Sequence, residues 1–447
     1  MSEKVRVLEG TLVSENKAPA MEIIENRLQA EDVIEKGLLF IGAAGQGKTN
    51  VMMKVSSDLL QRVNKGDLII FFDVKGDYYN TFYEQGDVFL SPADNTYLWN
   101  IFEDFENLKF GSDLEYRIRE TIEYLFVGMQ SEREPFWTNG AKMVLYCLIL
   151  YMLMEADIEG DYSKLNHSDL CALIDGELEG KTDLYDCYDN YRDILNSNVK
   201  FRSAGMFLPP TETGTAMGHG IITEILAMKN RLLIGNFGSK IRRNNQQYIS
   251  ATSLPRMFDN RKGPGVMFLR YNQRYQDVCA PIYRCFVDMV IASYLESINR
   301  FGGKLYLVLD ELAVLPELRR LDQALELGRQ YGIRIIAGLQ EIEQMRQNYR
   351  TNQHLANVIV GGFQSTVVFK CDTETMSFVK DKLGKVLIQR VYTRPGGGKG
   401  ITEPVLANVI ESYDFNSFDH GDAIIKILGD APYKAHFPLY KVLDIGL

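Results

Sequence analysis

The sequence predicts an α/β protein, a P-loop nucleotide-binding core with a mostly parallel sheet that is interrupted by an all-α insertion domain. Three observations predict it. A glycine-rich loop, Gly42 to Thr49, stands between an apolar strand and a helix. A second apolar strand, Leu305–Leu309, ends in the paired carboxylates of Asp310 and Glu311. Between them, from about residue 105 to 232, strand-like runs give way to helical spacing alone. The chain is therefore expected to hold the first part of the nucleotide-binding domain at 1–104, the insertion at 105–232 and the second part at 233–447.

Leu38-Leu39-Phe40-Ile41 is apolar and short, as a buried strand is, and Asn50 to Val55 opens a helix. The residues between, Gly42-Ala43-Ala44-Gly45-Gln46-Gly47-Lys48-Thr49, satisfy G-x-x-x-x-G-K-[ST] in the strand–loop–helix context that gives the pattern meaning. Glycines let successive N–H groups face one anion, and the helix N-terminus adds its partial positive charge. Lys48 is placed to reach the β- and γ-phosphates, and the Thr49 hydroxyl to hold Mg2+. The expected contact surface for ATP runs from Gly42 to Asn50.

Ahead of this loop the chain reads as one or two edge strands (Val5–Leu8, Leu12–Val13) and a helix-like Ala30–Glu35. After it, the apolar run 68–72 ends in Asp73-Val74-Lys75-Gly76-Asp77. A continuous apolar run is what a parallel strand covered on both faces looks like. Val88–Ser91 and Leu98–Phe102 close this block. The insertion offers helices at Leu114–Val127, Pro135–Ala156, Ser168–Leu178 and Leu184–Leu195. Gly205 to Gly220, rich in Gly, Pro and Thr, reads as a loop, and Ile221–Leu232 as a returning helix. Alternation then resumes: strand Val266–Arg270, helix Ala280–Asn299, strand Leu305–Asp310, helix Leu318–Gln330, strand Ile333–Leu339, helix Ile342–Asn348, strand Ser365–Lys370, helix Thr373–Leu383. Strand-like Val386–Thr393 and Ala423–Leu428 finish it.

Composition narrows the function. Of 447 residues, 46% are hydrophobic and 24% charged, ordinary for a globular protein. Six scattered cysteines without a C-x-x-C pair argue against a zinc site or disulfide framework and fit a reducing cytosol. A net charge of −10 argues against wrapping nucleic acid with the outer surface, though not against a basic lining inside a ring. Met1 to Lys17 is polar and mixed, unlike a secretory leader. The longest apolar run, Met143–Met154, is about 12 residues against the 18 or so of a spanning helix, so no transmembrane segment is expected in this chain. With five histidines and neither H-E-x-x-H nor G-x-S-x-G, metalloprotease and serine-hydrolase chemistry is excluded.

Leu305–Glu311 is the Walker B pattern. At the carboxyl end of a parallel strand its acids emerge beside the glycine loop, Asp310 to support Mg2+ and Glu311 to orient and deprotonate the attacking water. Arg329 ends a helix too far along to serve its own loop. It either answers that helix's dipole or reaches a neighbouring subunit's γ-phosphate as an arginine finger. Gln340, at the end of the next strand, is either a γ-phosphate sensor or a plain strand-end residue. Asp73 to Asp77 contacts nucleotide, Mg2+ or a neighbour, or is a turn with an internal Lys–Asp pair. Lys240, Arg242 and Arg243, flanked by Lys229 and Arg231, form a nucleic-acid-contacting loop or a solvated patch. Pro395 to Gly400 lacks the Ser or Thr of a second P-loop and is read as a mobile hairpin tip.

Together these stretches resemble the cytoplasmic ATPase of type IV secretion coupling proteins, the TraG/TraD type, within the FtsK/HerA class of DNA motors. The resemblance covers roughly residues 37 to 430. Its most particular segments are Phe72-Asp73-Val74-Lys75-Gly76-Asp77, Leu90-Ser91-Pro92 leading to Trp99-Asn100, Phe136-Trp137, and Asp310-Glu311 with Leu315-Pro316. Gly328-Arg329 through Gly332-Ile333-Arg334 to Gly338-Leu339-Gln340, and Ser365–Phe369 with Asp372-Thr373-Glu374 and Leu383-Gly384, complete it. The resemblance implies a RecA-like core, an all-α domain in this place, and a homo-hexamer. It implies ATP hydrolysis driving single-stranded DNA or a relaxase–DNA substrate into a secretion channel at the bacterial inner membrane. Lys48 and Thr49 then bind ATP and Mg2+, Asp310 and Glu311 are Walker B, Gln340 is the sensor and Arg329 the trans finger.

Family members usually begin with two transmembrane helices, and none lies ahead of Gly42. Either that segment was cut away or this member docks on a membrane partner; the expected location is cytoplasmic, peripheral to the bacterial inner membrane. Two other functions fit the residues: a HerA- or FtsK-like translocase in repair, segregation or defence, and a recruitment platform that binds ATP to assemble with little turnover.

Overall fold

The computed structural model describes residues 3–9, 14, 15, 23, 27, 28 and 30–440, apart from 93, 107, 130–134, 177–183, 210, 271–275, 316, 350–352, 393–400 and 412–414. Pro395 to Gly400 and Pro316 thus lie outside the described residues. The strands, in chain order, are β1 (Glu3–Glu9), β2 (Ser14–Glu15), β3 (Leu38–Ile41), β4 (Leu68–Asp73), β5 (Val88–Leu90), β6 (Tyr97–Trp99), β7 (Gln247–Ile249), β8 (Gly265–Arg270), β9 (Leu305–Leu309), β10 (Ile333–Leu339), β11 (Ser365–Val368), β12 (Lys385–Tyr392), β13 (Ile401–Asn408), β14 (Asp422–Lys426) and β15 (Tyr433–His436). The chain divides into two compact units, Met1–Asp87 with Phe258–Arg270 and Tyr294–Leu447, and Val88–Met257 with Tyr271–Ser293.

In the first unit the strand order is β2-β15-β14-β11-β3-β10-β9-β4-β8. From β11 to β8 every neighbouring pair is parallel, and β14 and β15 continue the sheet antiparallel. The apolar runs explain the order's interior: all residues of β3, β4, β9 and β10 are buried, which only a sheet covered on both faces allows. Register fixes where the chemistry emerges. Leu339 pairs with Ile41, Ala337 with Leu309, and Phe72 with Leu309, so β3, β4, β9 and β10 end on one edge. Asp67 pins the other edge, accepting the N–H groups of Asn64 at 2.9 Å and Lys304 at 2.8 Å. Strands β1, β12 and β13 form a separate antiparallel sheet, in which Tyr392 faces Ile401 across the ends of 393–400.

The second unit is mainly helical: Ser112–Leu125, Pro135–Glu159, His167–Asp175, Leu184–Ser197 and Thr211–Leu232. Buried polar groups fasten it. Asp104 accepts the Ser250 hydroxyl at 2.7 Å, the Thr252 N–H at 2.8 Å and the Trp99 indole N–H at 3.2 Å. Arg284, 1% exposed, donates to the carbonyls of Tyr124 at 2.9 Å and Val127 at 3.0 Å. That places a cation where the helix Ser112–Leu125 leaves unsatisfied carbonyls and the negative end of its dipole.

One expectation is corrected here. The loop expected over Gly205 to Gly220 is helical from Thr211 onward, within Thr211–Leu232. Its glycine serves packing rather than a turn: a Cβ on Gly220 would lie 2.7 Å from the Trp137 ring of the helix Pro135–Glu159. The apolar-run expectation also shifts. Among the described residues one helical stretch, Val278–Leu295, is long and apolar enough to cross a membrane, and 83% of it is buried inside the fold, as in a core helix.

Candidate nucleotide site

The glycine loop hangs from two strand ends. Gly42 N–H donates to the Leu339 carbonyl at 3.1 Å, and Ala43 N–H to the Lys370 carbonyl at 2.8 Å. Gly45 and Gly47 adopt φ of +77° and +105°, where a side chain is strained, and Gly47 caps the helix Lys48–Arg62. Gly42 is required for a different reason, since a Cβ there would come within 2.7 Å of Phe369 Cβ. Ala44 and Gly45 face solvent at the crest, while Lys48 is buried.

The sequence-predicted chemical groups converge on this loop. Lys48 Nζ donates to Glu311 Oε2 at 3.0 Å, with both side chains 6% exposed. The Thr49 hydroxyl donates to Asp310 Oδ1 at 3.2 Å. Gln340 joins through its backbone, its N–H donating to Glu311 Oε1 at 3.2 Å. Both oxygens of Glu311 are thereby held, one by the loop lysine and one by the end of β10. Burial pushes the Asp310 carboxyl up to about 6, with Lys48 holding it down and Asp73 and Glu311 adding to the rise. A buried carboxylate raised by its acidic neighbours is a site that a cation would relieve. A lysine, a hydroxyl and two acids, gathered at the N-terminus of the helix Lys48–Arg62, fit a nucleotide phosphate with Mg2+.

Asp73 ends β4 beside Asp310, whose N–H donates to the Phe72 carbonyl at 3.2 Å. It is fully buried, accepts the N–H groups of Gly76 and Tyr79 at 2.8 Å each, and burial raises its carboxyl. Tyr78, also fully buried, has a hydroxyl with no hydrogen-bond partner among the described residues. Tyr78 had no sequence signal, because a tyrosine in a short amphipathic turn reads as packing. Gly338, which the sequence offered only as part of the segment ending in Gln340, has a packing role: a Cβ there would collide with the Asp310 carbonyl oxygen.

Two expected residues stand apart. Arg329 lies at the end of the helix Leu321–Tyr331 that leads into β10, on the edge where the strands begin; β10 alone spans about 20 Å. Its Nε donates to Glu35 Oε1 at 2.9 Å, and the side chain is 62% exposed. Asn50, expected in the phosphate contact surface, has its carboxamide on the backbone of the C-terminal segment: Nδ2 donates to the Pro438 carbonyl at 2.9 Å, and Oδ1 accepts the Tyr440 N–H at 2.9 Å. The basic cluster is divided as well. Lys240 pairs with Asp169, Lys229 with Asp175, and Arg231 donates to the Val127 carbonyl, leaving Arg242 and Arg243 exposed.

The family model for the type IV secretion-system coupling protein DNA-binding domain matches residues 29–177 and 247–405. The probable conjugal transfer protein TraG of Sinorhizobium fredii (strain NBRC 101917 / NGR234) is 25% identical over 156 residues, 33% of this chain and 24% of that protein. The match thus spans about a quarter of the length of that curated relative. Among solved structures, the unbound monoclinic form of the bacterial conjugative coupling protein TrwBdeltaN70 superposes with a TM-score of 0.74 at 20% identity, over 98% of this chain and 94% of that one. The plasmid coupling protein TrwB in complex with ADP and Mg2+ gives 0.71 at 19% identity, over 98% and 95%. At those identities the likeness is one of fold, a RecA-like P-loop core with a helical insertion. With the family model matching more than half of its residues, this chain belongs to the type IV secretion-system coupling proteins.

Proposed function

We propose that the protein is an ATP-hydrolysing coupling protein, a ring motor that recruits DNA, or a protein–DNA substrate, and drives it to a secretion channel. The observation that carries this reading is the meeting of Lys48 with Glu311 and of Thr49 with Asp310 from segments more than 260 residues apart in sequence. TrwB itself has been captured with ADP and Mg2+ and with non-hydrolysable GTP and ATP analogues, which supports assigning a nucleotide to the same place in this fold.

In this mechanism the N–H groups of Gly47, Lys48 and Thr49 at the helix N-terminus hold the phosphates in line, and Lys48 exchanges its Glu311 partner for the terminal phosphate oxygens. Thr49 and Asp310 would hold Mg2+, which would supply neutralisation of the charge on the phosphates. Glu311, freed from Lys48, accepts a proton from the attacking water, and the Gln340 N–H keeps its other oxygen aimed. Arg329 of a neighbouring chain completes the pocket in a homo-hexamer, and the Gln340 side chain senses the γ-phosphate. The helical insertion at 105–232 receives the substrate, and the protein works at the cytoplasmic face of the inner membrane beside the channel.

The test is ATP turnover with and without single-stranded DNA. DNA is expected to stimulate turnover. Turnover indifferent to DNA would point to a protein substrate instead, and absent turnover would reduce the chain to a platform.

A further inference from the structure

We propose that Asn50 is a positioning residue that clasps the phosphate loop to the C-terminal strap Gly421–Tyr440, making that strap part of the nucleotide site. The inference rests on the nucleotide reading above. It starts from an anomaly: the residue directly after Thr49 spends both halves of its carboxamide on backbone about 390 residues away. Nδ2 donates to the Pro438 carbonyl and Oδ1 accepts the Tyr440 N–H, each at 2.9 Å. Such a two-sided bond to main chain fixes position in a way a single side-chain contact does not.

The strap approaches the loop at other points. A Cβ on Gly47 would lie 3.7 Å from Gly421 Cα and 3.6 Å from Phe369 Cε1, so the loop passes the strap and the residue after β11 with room for about one methyl group. Phe437 of the strap packs on Phe369 at a ring-centroid distance of 6.1 Å, and Phe369 floors Gly42. Gly421 itself admits no side chain, since a Cβ would run into the Phe437 carbonyl, and its φ is +91°. Further along the helix, Asn50, Lys54 and Asp58 share one face by their i, i+4, i+8 spacing. Lys54 and Asp58 form a buried pair at 2.7 Å, and Asp58 bears electrostatically on the phenol of Tyr440, itself only 8% exposed. The strap therefore follows the first turns of the helix whose N-terminus faces the phosphates. Drawing the loop onto a nucleotide moves Asn50, and Asn50 moves the strap. Order in one favours order in the other, and the coupling is reciprocal.

Two measurements test this, with ADP and Mg2+ as the probe. In the wild type, amide hydrogen exchange at 436–440 is expected to slow when ADP and Mg2+ are added. Asn50→Ala and Tyr440→Pro, the second removing the N–H that Asn50 accepts along with the phenol, are each expected to weaken ADP binding about tenfold, whereas Tyr440→Ala, which keeps that N–H, is expected to weaken it much less. The double variant should bind no more weakly than either single one, because both break the same clasp. If Tyr440→Pro binds ADP as the wild type does while Asn50→Ala does not, Asn50 contacts nucleotide directly and the clasp is wrong. Unchanged exchange at 436–440 on ADP binding overturns it equally, and needs no variant to fold. A wild type that binds no ADP would instead sink the nucleotide reading itself.

Discussion

His167 shows how a single buried group ties the helical unit together. Its Nε2 accepts the Ile101 N–H at 3.0 Å, so the ring proton sits on Nδ1 and is donated to the Phe237 carbonyl at 2.7 Å. Burial lowers its pKa to about 4 from an ordinary 6.5, since the charged ring would be stranded in an apolar setting. Between those values the unfolded chain binds the proton and the folded one does not, so stability rises with pH across that window. The contribution is complete above about pH 6.5 and lost progressively on acidification towards pH 4, a difference of about 3 kcal/mol. Urea unfolding from pH 4 to 7 should show this slope in the wild type and a flatter one in His167→Gln. Equal slopes would mean that the imidazole is not the titrating group. At the same scale, Asp310 and Glu311 were legible as acids at a strand end. Asn50's partners were not, because nothing near position 50 announces Pro438 or Tyr440.

Among the elements, the legible ones were those whose burial leaves a local trace. β3, β4, β9 and β10 are almost wholly apolar because they are covered on both faces, Asp73 and Arg334 being the charged members of β4 and β10. Strands β6 and β7 pair in parallel across about 150 residues, and each has only three residues to show a pattern, so their partnership lay beyond local reading. The helix Thr211–Leu232 reads correctly from Ile221 on but as a loop up to Gly220, because the glycines and threonines there look like a loop. Gly220 is there to let the Trp137 ring approach, a tertiary reason that no local propensity carries. Gly338 in β10 is a similar case with a functional edge. Gly338→Ala places a methyl group against the backbone of Asp310, which cannot swing aside as a side chain would. Loss of about 1–3 kcal/mol in chemical denaturation is expected, with weakened Mg2+-dependent nucleotide binding. An alanine variant that is as stable as the wild type and binds as well would show that β9 and β10 have more room than this packing allows.

For the whole molecule, the proposed ring divides the site between neighbouring chains. Lys48, Thr49, Asp310 and Glu311 meet on the edge where the parallel strands end, and Arg329 stands exposed on the opposite edge of the same unit. Its pairing with Glu35 is solvent-facing on the arginine side, so Arg329→Ala should change stability by no more than about 1 kcal/mol. As a trans finger, however, its loss should cut turnover by about 10³-fold. Mixing Arg329→Ala with Glu311→Gln chains should then recover activity, because some interfaces combine an intact acid pair with an intact finger. Recovery that never exceeds the sum of the separate variants would leave Arg329 a helix-terminal residue of its own chain.

The account depends on Glu311 being the group that activates water once Lys48 has left it. Measuring ATP affinity and turnover of Glu311→Gln beside the wild type tests this most directly, since glutamine keeps the shape and one acceptor oxygen but cannot take the proton. Binding retained with turnover reduced by at least about 100-fold is the predicted result. Turnover close to that of the wild type would contradict it.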